Sequence, residues 1–272
     1  MRHCTPIWSS SNLCLSSKVA ITNTAAIAPP LVSPSPPCQV QWAGETLQLL
    51  PERAIWWPTE QVLFVADLHL GKAATYRALG QPVPGGTTLE NLARLDALIE
   101  RHAPQRIVFL GDFLHAAQAR SVLTTLQVWR DGHADIDMTL VRGNHDRRAG
   151  DPPASLRIDV VDEPWLIGPF ACCHHPQTHP THFVLAGHLH PACKLYGRGR
   201  DSLRMPCFVS EARQAILPAF GEFTGGWLVE AAPGRRFHGV GGAAVWALPV
   251  ATLSNMAGQV AHASITSPGF AK

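Results

Sequence analysis

The chain has no Cys-x-x-Cys pair, no apolar run long enough to span a membrane and no large excess of charge of either sign. Its seven cysteines are odd in number and irregularly spaced, which excludes a disulfide framework and fits a reducing, cytoplasmic setting. A net charge of +2 with histidines neutral excludes a strongly cationic nucleic-acid coat but leaves room for a local basic groove. Residues 1–38 contain no Asp or Glu and are rich in Ser, Pro, Ala and Thr. They lack the continuous apolar core of a secretory signal, so no membrane association is expected. The stretch Pro29-Pro30-Leu31-Val32-Ser33-Pro34-Ser35-Pro36-Pro37 suits neither helix nor central strand. This segment is expected to be disordered, and a start codon placed too early would explain it equally well. There is also no internal repeat and no separate lid domain.

What the chain does have is four short polar motifs: Asp67-Leu68-His69, Gly111-Asp112-Phe113-Leu114-His115, Gly143-Asn144-His145-Asp146 and Gly187-His188-Leu189-His190. Most follow an apolar run. Val62–Ala66, Arg106–Leu110, Met138–Val141, Phe170–Cys173 and His182–Ala186 have the length and composition of buried strands, and the fourth runs into His174 and His175. Ligands of open α/β sheets bind outside the carboxyl ends of the strands, so five strands are expected to aim polar side chains into one crevice. Carboxylates, imidazoles and an amide form the mixed N/O set that holds divalent transition metals. Two such ions can activate water and clamp a phosphoryl group. The motifs therefore read as a dinuclear-metal phosphoesterase. Gly111, Gly143 and Gly187 fit tight turns where a side chain would crowd the metals.

The rest of the chain is consistent with one α/β domain of about 210 residues, here 39–250, followed by a flexible tail, 251–272. The 14 histidines are many for this length, and at least six sit in or beside the motifs and the His174-His175 pair, so metal binding accounts for much of the excess. A helix is expected from Thr87 through Arg101, with Leu89, Leu92, Leu95, Leu98 and Ile99 on its apolar stripe. A second covers Ser121 to Arg130. After Cys207 short strands follow at Phe208-Val209, Gln214–Leu217, Trp227–Glu230, Phe237–Val240 and Ala244–Ala247, suiting a second sheet packed on the first.

These motifs, with the longer strings Ala66-Asp67-Leu68-His69-Leu70-Gly71-Lys72, Tyr76-Arg77-Ala78-Leu79-Gly80, Pro82-Val83-Pro84-Gly85-Gly86 and Leu217-Pro218-Ala219-Phe220-Gly221-Glu222-Phe223-Thr224-Gly225-Gly226, resemble the calcineurin-like metallophosphoesterase superfamily. More narrowly they resemble its ligase-associated DNA-damage-response endonuclease branch, PdeM. The resemblance implies the four-layer α/β/β/α fold, a two-sheet sandwich flanked by helices. It implies that Asp67, His69 and His190 hold one divalent ion, that Asn144, His174 and His188 hold a second, and that Asp112 bridges them. Mn is favoured, with Fe or Zn also compatible. A metal-bridging hydroxide would attack the phosphodiester in line, and His145 would stabilise charge or protonate the leaving oxygen. His115 stands where many superfamily members carry a carboxylate that orients the catalytic histidine. Break-repair nucleases also have histidine there, and which group orients His145 stays open, Asp146 being adjacent. His175 is the alternative to His174 as ligand.

Other residues have more ordinary readings. His102, His133, His238 and His262 read as surface or locally bonded, Trp56-Trp57 as packing, and Cys172 and Cys173 as small core residues. Lys72 and Arg77, placed on a Gly- and Pro-rich loop, are candidates for phosphate contact. Arg147-Arg148 and Arg198, Arg200 and Arg204 read as a solvated face, and would matter only on the metal side. The branch resemblance implies DNA as substrate, a role in damage repair and association with a DNA ligase, a helicase and an exonuclease. Hydrolysis of a small phosphoester, nucleotide-linked or cyclic, is the competing expectation, and a metal-free interaction module the third.

Overall fold

A computed structural model describes residues 38–83, 86–115, 122–197, 201–249 and 253. The amino-terminal segment up to residue 37, Arg198, Arg200, His262 and the tail apart from residue 253 lie outside the described residues. Cys38, expected in the amino-terminal segment, opens the first strand.

Three antiparallel strands begin the fold: β1 (Cys38–Trp42), β2 (Glu45–Leu49) and β3 (Ala54–Trp57). β3 pairs antiparallel with β4 (Val62–Val65), after which the sheet runs parallel through β5 (Arg106–Leu110), β6 (Asp137–Val141) and β7 (Asp159–Val161). The crossovers carry α1 (Lys72–Ala78), α2 (Thr87–His102), α3 (Leu123–Asp131) and α4 (Asn144–Ala149). The second sheet holds β8 (Trp165–Ile167), β9 (Phe170–Cys172), β10 (Phe183–Ala186), β11 (Pro191–Tyr196), β12 (Ser202–Ser210), β13 (Gln214–Ile216), β14 (Trp227–Leu228), β15 (Arg236–Gly241) and β16 (Ala244–Leu248). Its order is β14-β11-β12-β13-β10-β9-β8, and β15 pairs with β12 and β16.

Period-two alternation within the first sheet explains the layering. Leu63, Val65, Ile107 and Phe109 face a core completed by Leu92, Leu95 and Leu98 of α2 and by Leu126 and Trp129 of α3. Phe64, Val108 and Leu110 face the other way and meet Phe170, Leu185 and Phe208 of the second sheet. Leu95 is fully buried, so Leu95→Ala would cost about 2–5 kcal/mol. The architecture is the expected two-sheet α/β sandwich.

Several expectations need correction. The five strands thought to feed one crevice divide between the sheets, β4, β5 and β6 in the first and β9 and β10 in the second. Their carboxyl ends still converge, because the sheets stack face to face. The segment after His69 is not a loop but begins α1, so Lys72 and Arg77 are helical. Strands β1, β2, β3, β7, β8 and β11 had no counterpart in the sequence reading. His238 is buried, and its Nδ1 has no hydrogen-bond partner among the described residues. The other plain readings describe their places well: Trp56, Trp57, Cys172 and Cys173 are buried, and His133 Nδ1 lies 2.8 Å from the Trp129 carbonyl.

Candidate metal centre

Asp67, His69, Asp112, His188 and His190 all adopt the left-handed backbone region, with φ of 53°, 47°, 49°, 68° and 47°. For residues other than glycine this costs on the order of 1 kcal/mol or more each, and it turns each side chain sharply over its strand end. The turns are held by each other. Asp67 N–H donates to the Gly111 carbonyl at 3.3 Å, His69 N–H to Asp112 at 2.8 Å, and Leu70 N–H to Phe113 at 2.9 Å. Gly111, itself at φ +80°, lies flat against His174, where a Cβ would fall 2.1 Å from Nδ1. At Gly143 and Gly187 a Cβ would come within 2.4 Å of Asp112 Oδ1 and 2.6 Å of Asp67 Oδ2. The glycines therefore crowd the side chains of the site itself.

The side chains converge in two groups around the two aspartates. His69 Nε2 and His190 Nε2 are 3.2 Å apart, with Asp67 Oδ1 3.5 Å from His190 Nε2 and Asp112 Oδ2 3.7 Å from His69 Nε2. On the other side, His174 Nε2 lies 2.9 Å from Asn144 Oδ1, 3.0 Å from His188 Nδ1 and 3.5 Å from Asp112 Oδ1. Asp112 thus faces both groups. Its Oδ1 accepts the His145 N–H at 2.9 Å, and Asp67 Oδ2 accepts the His188 N–H at 2.9 Å.

Outer contacts fix the imidazole tautomers. His174 Nδ1 faces the Leu110 carbonyl at 3.1 Å and His190 Nδ1 the Thr224 carbonyl at 3.1 Å. A carbonyl only accepts, so both Nδ1 atoms carry hydrogen and a neutral ring turns its Nε2 lone pair inward. His174 Nε2 then meets an amide oxygen, and His190 Nε2 meets another imidazole nitrogen. Asp67 Oδ1 is buried and accepts no hydrogen bond among the described residues. The inward-facing nitrogens and oxygens lie 2.9–3.7 Å from one another, and the donor set suits divalent transition metals. Burial holds the His69 imidazole well below its ordinary range, with His190 and Lys72 adding to the effect. Burial and the neighbouring His174 and His175 bring His188 down to about 4. Both rings therefore favour the neutral, ligating form. Burial also lowers His190, but the charge of the adjacent Asp67 carboxylate, 3.5 Å away, outweighs that and raises it. Burial raises Asp112.

The remaining candidate residues have distinct surroundings. His145 Nδ1 lies 2.9 Å from the main-chain carbonyl of His115, which orients its ring. Asp146 points elsewhere: Oδ1 accepts from the N–H groups of Phe113 and Leu114, and Oδ2 from Gly143. His115 stacks against His145 at 5.0 Å and is covered by Tyr76 of α1 at 6.0 Å. Burial lowers His115 to about 4, aided by Lys72 and His145. His174 is buried inside the cluster, whereas His175 Nδ1 is bound to Glu163 Oε1 at 2.7 Å. Lys72 is half-buried and feels the charges of Asp112 and Asp67, while burial lowers it. Arg77 is exposed on the last turn of α1.

Residues that the sequence reading passed over support the site from behind. Glu163 Oε2 accepts the N–H groups of both His174 and His175, at 2.7 and 2.9 Å. The Phe220–Gly226 loop lies under the Asp67 turn, with Phe220 N–H donating to Ala66 and Gly221 N–H to Asp67. Glu222 pins that loop between Arg53 and Arg94. The resemblance string over 217–226 was the available signal for this loop. Nothing singled out Glu163.

A histidine–carboxylate–amide cluster on strand-end loops of a two-sheet sandwich defines a hydrolase of the metallophosphoesterase type. Residues 61–170 match the calcineurin-like phosphoesterase family. The crystal structure of the nuclease MPE of Pseudomonas putida is 47% identical, with a TM-score of 0.69, over 78% of this chain and 100% of that one. The chain belongs to the calcineurin-like phosphoesterase family. The phosphoesterase Yfce of E. coli shares 16% identity over 65% of this chain and 86% of that one, with a TM-score of 0.34, and nothing rests on it. No curated protein sequence matches the chain. No helix among the described residues is long and apolar enough to cross a membrane.

Proposed function

We propose that the protein is a dinuclear-metal-dependent phosphodiesterase that cleaves DNA internally. The observation that carries this reading is the convergence of Asp67, His69, Asp112, Asn144, His174, His188 and His190 with their nitrogen and oxygen atoms turned toward one another. Asp67, His69 and His190 would hold one divalent ion, Asn144, His174 and His188 the other, and Asp112 would face both. Such ions lower the pKa of water and neutralise the charge of a phosphodiester. His174 rather than His175 is the ligand in this reading, because its Nε2 faces Asn144 and Asp112, whereas the Nδ1 of His175 is tied to Glu163.

The protein's own groups supply the rest. His145 is 30% exposed in its side chain and keeps Nε2 free of the main-chain bond that fixes Nδ1. Its role in this reading is to protonate the leaving oxygen. Stacked His115 limits rotation of the ring. Lys72 is placed to meet a non-bridging phosphate oxygen. Support for DNA as substrate comes from the 47% identity to a nuclease. Action in damage repair beside a ligase, a helicase and an exonuclease, a preference for Mn and a cytoplasmic location follow from the family resemblance.

The test is cleavage of covalently closed circular plasmid DNA with added Mn, beside hydrolysis of bis(p-nitrophenyl) phosphate, with Asp112→Ala protein as the control for contaminating nucleases. Nicking by wild type alone supports the reading. Hydrolysis of the small diester with the circle intact overturns it in favour of a small phosphoester substrate.

A further inference from the structure

A groove of about 260 Å³ begins at His190 and is lined by Arg53, Ala192, Arg204, Pro206 and Gly226 among others. Along β11, alternation places Ala192, Lys194 and Tyr196 on one face. The antiparallel register sets Pro206 opposite Ala192 and Arg204 directly opposite Lys194. Like charges facing each other across a strand pair are destabilising. No carboxylate among the described residues offsets this one. Arg204 is exposed and donates only to the Gly226 carbonyl, and Lys194 sits over the Tyr196 ring at 5.1 Å. Among the described residues neither has a carboxylate partner, whereas Arg53, Arg94 and Arg142 are ion-paired. Tyr196 is 37% exposed, and Leu228, in register with Ala192, is 45% exposed on the same face.

We propose that this face is a track for a polynucleotide strand on one side of the scissile phosphate, with Arg204 and Lys194 on successive phosphates and Tyr196 against a base. Cationic side chains interleaved with an exposed aromatic ring are what single-strand binding uses. The groove links the track to His190, and Lys194 stands four residues of extended chain farther on, roughly 13 Å. A small phosphoester would not reach it. The proposal deepens the DNA reading and rests on it.

The test compares wild type with Lys194→Gln, Arg204→Gln and the double variant on plasmid DNA and on bis(p-nitrophenyl) phosphate. Binding of a fluorescein-labelled single-stranded oligonucleotide is followed by anisotropy, with His145→Ala added to prevent cleavage. The double variant is expected to raise KM on DNA at least about tenfold more than on the small diester. Its slope of log binding constant against log salt should shrink by about 0.7 for each lost phosphate contact. Arg204→Lys, which keeps the charge, should retain most of the affinity. Equal losses on both substrates, or an unchanged salt slope in variants with unchanged melting temperature, overturn the track. Wild type that cleaves no DNA overturns the DNA reading itself, a separate result.

Discussion

Asp146 separates two accounts of the site, because it neighbours His145 in sequence yet turns its carboxylate to the main chain. Its oxygens accept three buried N–H groups, from Gly143 at 2.9 Å, Phe113 at 3.0 Å and Leu114 at 3.2 Å. These bonds clamp the Asp112 turn to the Asn144 turn. Asp146→Ala leaves all three donors unpaired at about 1–3 kcal/mol each. With partial relaxation, a total loss of about 4 kcal/mol is expected. Asp146→Asn keeps the oxygen that serves Phe113 and Leu114 and places an NH2 against Gly143 N–H, for a loss of about 2 kcal/mol. At about 2–4 °C per kcal/mol for a domain of this size, melting should fall by roughly 4–8 °C for Asn and 8–16 °C for Ala. Differential scanning calorimetry reads both, and kcat on a diester should fall in the same order as stability. If Asp146→Asn melted like wild type but lost turnover, Asp146 would be orienting His145, and the clamp account would be wrong.

Other consequences are equally direct. Gly111→Ala forces a Cβ to 2.1 Å from the His174 ring at φ +80°, so it should destabilise by about 2–5 kcal/mol and weaken metal uptake, read by melting and by elemental analysis; normal values of both would refute the packing. His145→Ala should retain bound metal and lose about 10²–10⁴-fold in turnover, and loss of the metal instead would make His145 a ligand. The Glu163–His175 pair gives a pH signature. Burial raises the Glu163 carboxyl, but its hydrogen bonds to His175 and His174 outweigh that and hold it at about 2. That depressed value contributes stability above the ordinary value of 4.5, lost as pH falls towards 2. The Glu163 bond raises His175 above 6.5, which contributes stability below 6.5, lost as pH climbs through the raised value. The stability gap between wild type and Glu163→Gln should therefore be widest between pH 4.5 and 6.5 and narrow on both sides, and a flat gap in urea titrations would contradict the pairing.

The residues that the structure brings together were legible because each motif follows a buried apolar run and is itself polar, a contrast that survives in one sequence. Which sheet each run joins was not legible. Phe170–Cys172 and Val62–Val65 are equally apolar, since strands buried on both faces lose the alternation that would tell them apart. Helix α1 was missed because its seven residues lie between Gly71 and Gly80, a spacing that reads as loop. The hairpin β1–β2 escaped because it directly follows the Pro-rich segment. The orientation of His145 and His190 was beyond the sequence altogether. Both are held by main-chain carbonyls, of His115 and Thr224, and a carbonyl carries no residue signature. Arg204 shows the opposite case, a residue whose meaning changed once the register set it beside Lys194 and the groove beside His190.

The central claim is that seven side chains hold two divalent ions around Asp112, and metal stoichiometry tests it most directly. After reconstitution with Mn and gel filtration, inductively coupled plasma mass spectrometry should count two ions per wild-type chain and close to none in Asp112→Ala. A wild-type count of one or none, or an Asp112→Ala protein that still carries two, would contradict it.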